Sequence, residues 1–334
     1  MSFRAGHLVT TVNDSKERLA ELTRQCLPVM LPLYHGISLL CPSYLQLLQK
    51  RDATAVCDED EPDRIARGGG EVGWGERMTI YEAYARVYDR SGQIGFALKM
   101  LPYLDEVLAR HAFIGDSAVD VACGSGTLAL GLAQRGWRVY GVDASPAMLA
   151  QARHKAAELD QPAAVTWLQA DMRDFSLPQA VDLATSTYDS LNYLLTLDDL
   201  CRAFRCVARA LRVGGLFVFD MNAEPAFLRQ WHDATYFIED QDLAIVIKST
   251  YDDEARRATA TITGFVRQGE LYERFQETHT EGAYSRAEVA AGLEASGFQV
   301  VASYACFTFD VADDDSPRIL WVARKAPVWE ERRA

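Results

Sequence analysis

Residues 119–130, VDVACGSGTLAL, constrain the fold more than any other stretch of this 334-residue chain. An apolar strand is expected to end in Asp120. Ala122, Gly124 and Gly126 then make a tight turn, and a short apolar helix is predicted from Thr127. Glycines at such a turn let the backbone come close to a ligand, and the free N–H groups at the helix start face it. A second apolar run, WRVYGVD, ends in Asp143, where a carboxylate can take both hydroxyls of a ribose. The expectation is an α/β sheet with an adenosine-type ligand over its strand ends. Gly124 to Ala129 also fits G-x-G-x-x-A, so the turn alone does not say which nucleotide.

The pattern continues. AVTWLQ leads into Gln169-Ala170-Asp171-Met172, a polar-then-apolar pair suited to the edge and face of adenine. The run VDLATST (181–187), with Ser186 near its end, opens onto Tyr188-Asp189-Ser190-Leu191-Asn192-Tyr193. A helix is expected over Leu197–Leu211, then Val213-Gly214-Gly215 and the strand LFVFDMN. Motif by motif, this series resembles the class I S-adenosylmethionine-dependent methyltransferases over about residues 78–325. The resemblance implies an α/β fold, a doubly wound, Rossmann-like seven-stranded sheet with S-adenosyl-L-methionine as cofactor. It assigns the first motif to Asp120, Ala122, Gly124 and Gly126, and the ribose acid to Asp143 beside Ala144. The adenine motif falls on Asp171 and Met172, and Ser186 lies at the strand-four end of the same site. Ala122 stands where the family carries a glycine. A nicotinamide-dependent reductase needs a second nucleotide-binding half, and the chain has no second glycine fingerprint.

A narrower resemblance surrounds these motifs. MTIYEAYARVYDR (78–90), TYDSLNYLLTLDDL, FDMN and ETHTEGAYS are similar to the small-molecule branch of the family. That branch includes the amino-sugar N,N-dimethyltransferases and related bacterial and archaeal methyltransferases of unassigned substrate. Gly282 stands where the family pattern has an arginine before Ala-Tyr-Ser, so any role of that arginine does not transfer. Tyr81, Tyr84 and Tyr88 share one face at helical spacing. They read either as core packing or as a lid helix, with Tyr81 and Tyr88 near the methionine end of the cofactor. From 234 to 280 the period changes to two. LAIVIKST, ATATITGFV and LYERFQETH, with a turn at Gln268-Gly269, predict an antiparallel β insertion after strand five. The helix Arg286–Ala295 and a closing strand pair, FQVVASYAC and SPRILWVARK, complete the pattern.

Methyl transfer from a sulfonium asks mainly for positioning and dryness. An amine acceptor must lose its proton to free the lone pair, whereas a hydroxyl needs a stronger base, commonly His. Tyr188 and Asn192 follow strand four, beside the expected methyl position, and His279 lies on the last insertion strand. These three are the catalytic candidates, ahead of Asp189 and Asp220. The reading is methyl transfer to a small molecule, with an amine favoured. O-methylation and a non-catalytic S-adenosylmethionine-binding subunit remain the alternatives.

A net charge of −13 argues against a nucleic-acid partner, which needs a basic face. The seven cysteines form no C-x-x-C pair and the six histidines no metal-ligand spacing. Free thiols in a reducing cytoplasm, no metal, and a monomer or homodimer are expected. Residues 1–77 resemble nothing in the rest. Leu27–Leu48 lacks formal charge, but Pro28, Pro32 and Pro42 interrupt it, so no membrane span is expected. Gly68-Gly69-Gly70 reads as a linker. Met78 opens the family-like segment, so residues 1–77 read as an extension, either untranslated upstream sequence or a poorly ordered accessory segment. Residues 326–334 read as a tail.

Overall fold

The computed structural model describes residues 80–159 and 164–327. The expectations for residues 1–77 and for most of the C-terminal tail lie outside the described residues. From its amino end the described chain runs α1 (Ala85–Tyr88), α2 (Ile94–Arg110), β1 (Ser117–Val121), α3 (Thr127–Gln134), β2 (Arg138–Asp143) and α4 (Pro146–Ala157). It continues through β3 (Val165–Gln169), β4 (Val181–Ser186), a 3-10 turn at Ser190–Tyr193, α5 (Leu197–Ala210) and β5 (Leu211–Asn222). Next come β6 (Ala234–Asp240), β7 (Leu243–Asp252), β8 (Arg257–Gln268) and β9 (Leu271–Gly282). Last are α6 (Arg286–Ala295), β10 (Phe298–Ala305) and β11 (Arg318–Lys325).

Unbroken apolar runs make strands that bury both faces, as parallel sheets require. All five residues of β1 are buried, and β1, β2, β3, β4 and β5 pair in parallel. β11 runs antiparallel to both β5 and β10, giving one seven-stranded sheet in the order β10-β11-β5-β4-β1-β2-β3. This is the doubly wound sheet expected from the motifs. On one face Met100, Leu104 and Val107 of α2 and Leu128 and Leu132 of α3 pack against β1 and β4. On the other face Leu200, Phe204 and Val207 of α5 and Leu293 of α6 cover β5 and β11. The helix starts are set by local chemistry: Ser145 and Thr196 cap α4 and α5, and Ser285 with Glu288 forms a reciprocal capping box on α6.

The insertion is a separate four-stranded antiparallel sheet, β6-β7-β8-β9, one strand more than the three alternating runs named from sequence. The turn at Gly269 (φ +64°) joins β8 to β9 as expected. Tyr84 and Val87 pack into the core of this sheet with Leu243, Ile245 and Phe275. The tyrosine stripe is not one continuous helix, because α1 spans only Ala85–Tyr88 and Tyr81 has φ +60°. The N–H groups of Tyr81, Ala83 and Tyr84 go to a carboxylate instead of continuing a helix.

Phe204 is fully buried, with ring centroids 6.2 Å from Phe217 and 5.6 Å from Phe219. Phe204→Ala should cost about 3–5 kcal/mol, read as a lower urea midpoint at unchanged slope.

Candidate functional site

The reversal of strand order between β1 and β4 leaves a crevice at their carboxyl ends, where open α/β sheets bind ligands. A cavity of about 620 Å³ opens there. The glycine turn forms one wall, with Ala122, Gly124 and Gly126 all at positive φ. The two glycines serve different ends. A Cβ on Gly124 would meet nothing nearer than Met148 at 4.0 Å, so the position is open on its cavity side. A Cβ on Gly126 would stand 2.5 Å from the Trp167 ring, so this glycine is there for packing.

Asp143 closes the next wall. Its Oδ2 accepts the Gly124 N–H at 2.7 Å and its Oδ1 the Ser145 N–H at 2.8 Å. Each carboxylate oxygen has further acceptor capacity on a side chain that borders the cavity. Asp120, buried between β2 and β4, accepts the Thr185 hydroxyl at 2.8 Å. Burial pushes the Asp120 carboxyl up to about 7; the Thr185 bond opposes this and the Asp143 charge adds to it.

The other end of the cavity is built from tyrosines. Tyr81, Tyr88, Tyr188 and Tyr193 all border it. Tyr81 and Tyr193 share a hydrogen bond at 2.8 Å, and the Tyr188 hydroxyl donates to Gln93 Oε1 at 2.6 Å. Tyr188 and Asp189 both adopt left-handed backbone (φ +62° and +54°), a strained pair for non-glycine residues. Asp220 holds that strain by accepting both N–H groups, at 2.7 and 3.2 Å, and is itself paired with Arg318. Arg318 also reaches Asp189 at 3.2 Å.

Of the residues expected from sequence, Tyr81, Tyr88, Asp120, Ala122, Gly124, Asp143, Ala144, Met172 and Tyr188 border this one cavity. The others are placed elsewhere. Gly126 packs on Trp167. Asp171 turns to Arg173, which it engages at 2.6 and 2.9 Å. Ser186 is fully buried, and its hydroxyl has no partner among the described residues. Asn192 is fully buried too. Its amide donates to the carbonyls of Asn222 and Gly282 and its Oδ1 accepts the Asn222 N–H, so it is a strut between β5 and β9 and is not on the cavity wall. His279, 2% exposed, is not on the cavity wall; its Nδ1 lies 2.8 Å from the Tyr193 hydroxyl.

Two residues of the site escaped the sequence reading. Tyr193 stood inside a motif whose other members drew the attention. Glu277 carried a readable signal: Glu277, His279 and Glu281 alternate along β9, so three polar groups share one face, and that face is buried. Glu277 accepts the N–H groups of Tyr81, Ala83 and Tyr84 at 2.7–2.9 Å and lies 3.1 Å from His279 Nε2. Burial alone would raise its carboxyl, but the His279 contact and the three N–H groups outweigh it and hold the group below its usual range.

With this geometry in place, a methyltransferase domain model matches residues 118–215. YqeM of Bacillus subtilis (strain 168), named as a methyltransferase, is 30% identical over 248 residues, covering 74% of this chain and 98% of YqeM. The chain belongs to the S-adenosylmethionine-dependent methyltransferases. The fold of this methyltransferase is shared with an S-adenosylmethionine-dependent methyltransferase from Clostridium acetobutylicum ATCC 824, at TM-score 0.65 and 24% identity over 74% of this chain and 100% of that one. A dTDP-3-amino-3,4,6-trideoxy-alpha-D-glucopyranose N,N-dimethyltransferase of Streptomyces venezuelae is 29% identical over 55% of this chain and 76% of its own length. Among the described residues no cluster of His, Cys, Asp or Glu could hold a metal ion, and no helix is long and apolar enough to cross a membrane.

The raised Asp120 carboxyl sets a pH dependence in the methyltransferase. A folded-state value above the unfolded one contributes stability that is full below the ordinary carboxylate range near ~4 and is lost as pH rises through about 7. Urea unfolding without cofactor should show this decline between about pH 4 and about pH 7, and Asp120→Asn should make it shallower. An equal decline in the variant would assign the effect to other groups.

Proposed function

We propose that this methyltransferase transfers the methyl group of S-adenosylmethionine to the nitrogen of a small-molecule amine. The carrying observation is that one cavity joins the Asp143–Gly124 wall to a tyrosine-lined end. In this reading Asp143 takes the ribose hydroxyls, Met172 lies against adenine, and the open side of Gly124 admits the amino-acid part of the cofactor. When bound, the cofactor supplies an electrophilic methyl group on a sulfonium, with a neutral thioether as leaving group.

The chain's own residues then position, desolvate and manage charge. The rings of Tyr81, Tyr88, Tyr188 and Tyr193 attract a cation through their negative faces, which an aliphatic wall does not. Asp189 adds negative electrostatics at this end, and the nearby cation, Arg318, is already paired with Asp189 and Asp220. Such surroundings suit an amine better than an acidic acceptor. The Streptomyces venezuelae relative, named for an amino-sugar substrate, supports the same choice. The His279–Glu277 pair behind Tyr193 is the one observation that favours a hydroxyl acceptor. A net charge of −13 and free thiols at Cys123, Cys201, Cys206 and Cys306 support a cytoplasmic enzyme of soluble substrates, without nucleic-acid or membrane partners.

Two measurements test the proposal. Asp143→Ala removes charge-assisted hydrogen bonds, each contributing about 1.5–3 kcal/mol, so S-adenosylmethionine affinity should fall by at least an order of magnitude in calorimetry. Unchanged affinity would sink the cofactor assignment. Incubation with amine-containing and amine-depleted metabolite pools should form S-adenosylhomocysteine only with the first. Turnover confined to the depleted pool would move the reading to O-methylation, and none with either to a non-catalytic binder.

A further inference from the structure

The tyrosine end of the cavity is wired to a buried imidazole. Tyr81 Oη, Tyr193 Oη and His279 Nδ1 lie in series at 2.8 Å each, and His279 Nε2 is 3.1 Å from Glu277 Oε2. Glu277 and a neutral imidazole together set the direction of the protons in this chain. Glu277 accepts three backbone N–H groups and its carboxyl is held below its usual range, so it is ionised and can only accept. His279 Nε2 therefore carries a hydrogen, and in the neutral imidazole Nδ1 presents its lone pair. Tyr193 must donate to Nδ1, and Tyr81 must donate to Tyr193. That leaves Tyr193 Oη, on a residue that borders the cavity, with a lone pair able to accept.

We propose that Tyr193 is the proton port of the acceptor site, taking a proton from the bound amine while passing its own to His279. This rests on the amine reading above and names its proton path. An amine arriving as an ammonium loses its N–H bond, and that electron pair becomes the nitrogen lone pair. The released proton binds Tyr193 Oη as the former Tyr193 hydrogen moves to His279 Nδ1. The resulting imidazolium faces the Glu277 carboxylate. The lone pair then forms the N–CH₃ bond as the S–CH₃ electron pair returns to sulfur. After product leaves, the imidazolium returns its proton through Tyr193 to water entering the cavity. His279 touches no substrate in this scheme; it positions and stores the proton.

The groups facing the relay are defined on every side. From β9 come Glu277 and Glu281; from the 81–84 segment Tyr81, with ring centroid 4.7 Å from His279, and Tyr84 at 6.4 Å. From the strand-four mouth come Tyr193 and Asp189, with Tyr88 beside them, while β8 places the apolar Ala260 opposite His279. Burial holds Tyr81 and Tyr193 well above the ordinary tyrosine value, so both keep their hydrogens. Burial and the Asp189 charge raise Glu281 as well, so Glu277 is the carboxylate that orients the imidazole.

The test is the rate of proton gain and loss at His279 Nδ1, followed by nitrogen-15 NMR of the imidazole in the S-adenosylhomocysteine-bound protein as pH is varied. Because His279 is 2% exposed, this exchange should run through Tyr193. Tyr193→Phe should slow it by an order of magnitude or more, and Tyr81→Phe should leave it fast. Equal exchange in wild type and Tyr193→Phe would overturn the relay. Calorimetric binding of S-adenosylhomocysteine by each variant reports separately on the fold and on the cofactor reading, so loss of the relay with binding intact leaves the proposed function standing. Should Tyr193→Phe fail to fold, nitrogen-15 shifts in the wild type decide: the Nε2–H tautomer is required, and an Nδ1–H tautomer contradicts the relay.

Discussion

The roof of the cavity depends on one buried carboxylate. Glu277 stands on β9 of the insertion sheet, yet three of its four hydrogen-bond partners are backbone N–H groups of residues 81–84. Without an acceptor those N–H groups would be unsatisfied beside an apolar core, at a cost of about 1–3 kcal/mol each. With Glu277 in place, the segment enters α1 only at Ala85, and Tyr81 and Tyr88 border the cavity. Other ties fasten the same segment. Ser145 donates to the Tyr81 carbonyl at 3.0 Å, and Asp89 meets Lys155 at 2.6 Å and Ser125 at 2.6 Å. The roof is thus bound to α4, to the glycine turn and to the second sheet together.

The floor of the tyrosine-lined end rests on a comparable device. Two consecutive left-handed residues, Tyr188 and Asp189, bring a phenol ring to the cavity, and Asp220 from β5 satisfies both of their N–H groups. Arg318 from the antiparallel strand β11 balances Asp220 and Asp189 and lies over the Tyr188 ring, 5.5 Å from its centroid. A strained turn of this kind persists only where its surroundings over-determine it. The last strand of the sheet therefore acts on the site although it lies outside the nucleotide-binding half.

How much of this could be read from the chain depends on the range of the interaction. The parallel core was legible because periodicity and the glycine turn are local signals, and Asp143 fell at the strand end where the cavity lies. The insertion was legible from its period of two, though its edge strand β6 was not separately named. Asn192 and Asp171 were of the right chemical type at the right place, but each is satisfied by neighbours: Asn192 by Asn222 and Gly282, Asp171 by Arg173. Gly126 looked like a ligand contact because its packing partner, Trp167, lies on another strand. Glu277 joins residues almost two hundred positions apart, and a pairing at that separation leaves no trace in local pattern beyond the polar face of β9.

The central claim is that the roofed cavity is the cofactor site, with the reactive end against the tyrosines. A crystal structure with S-adenosylhomocysteine tests it most directly. The account predicts ribose hydroxyls on the Asp143 carboxylate, adenine against Met172, and the sulfur facing Tyr193 and Tyr188. Ligand bound with Asp143 unengaged, or with its sulfur turned away from the tyrosine end, would contradict it.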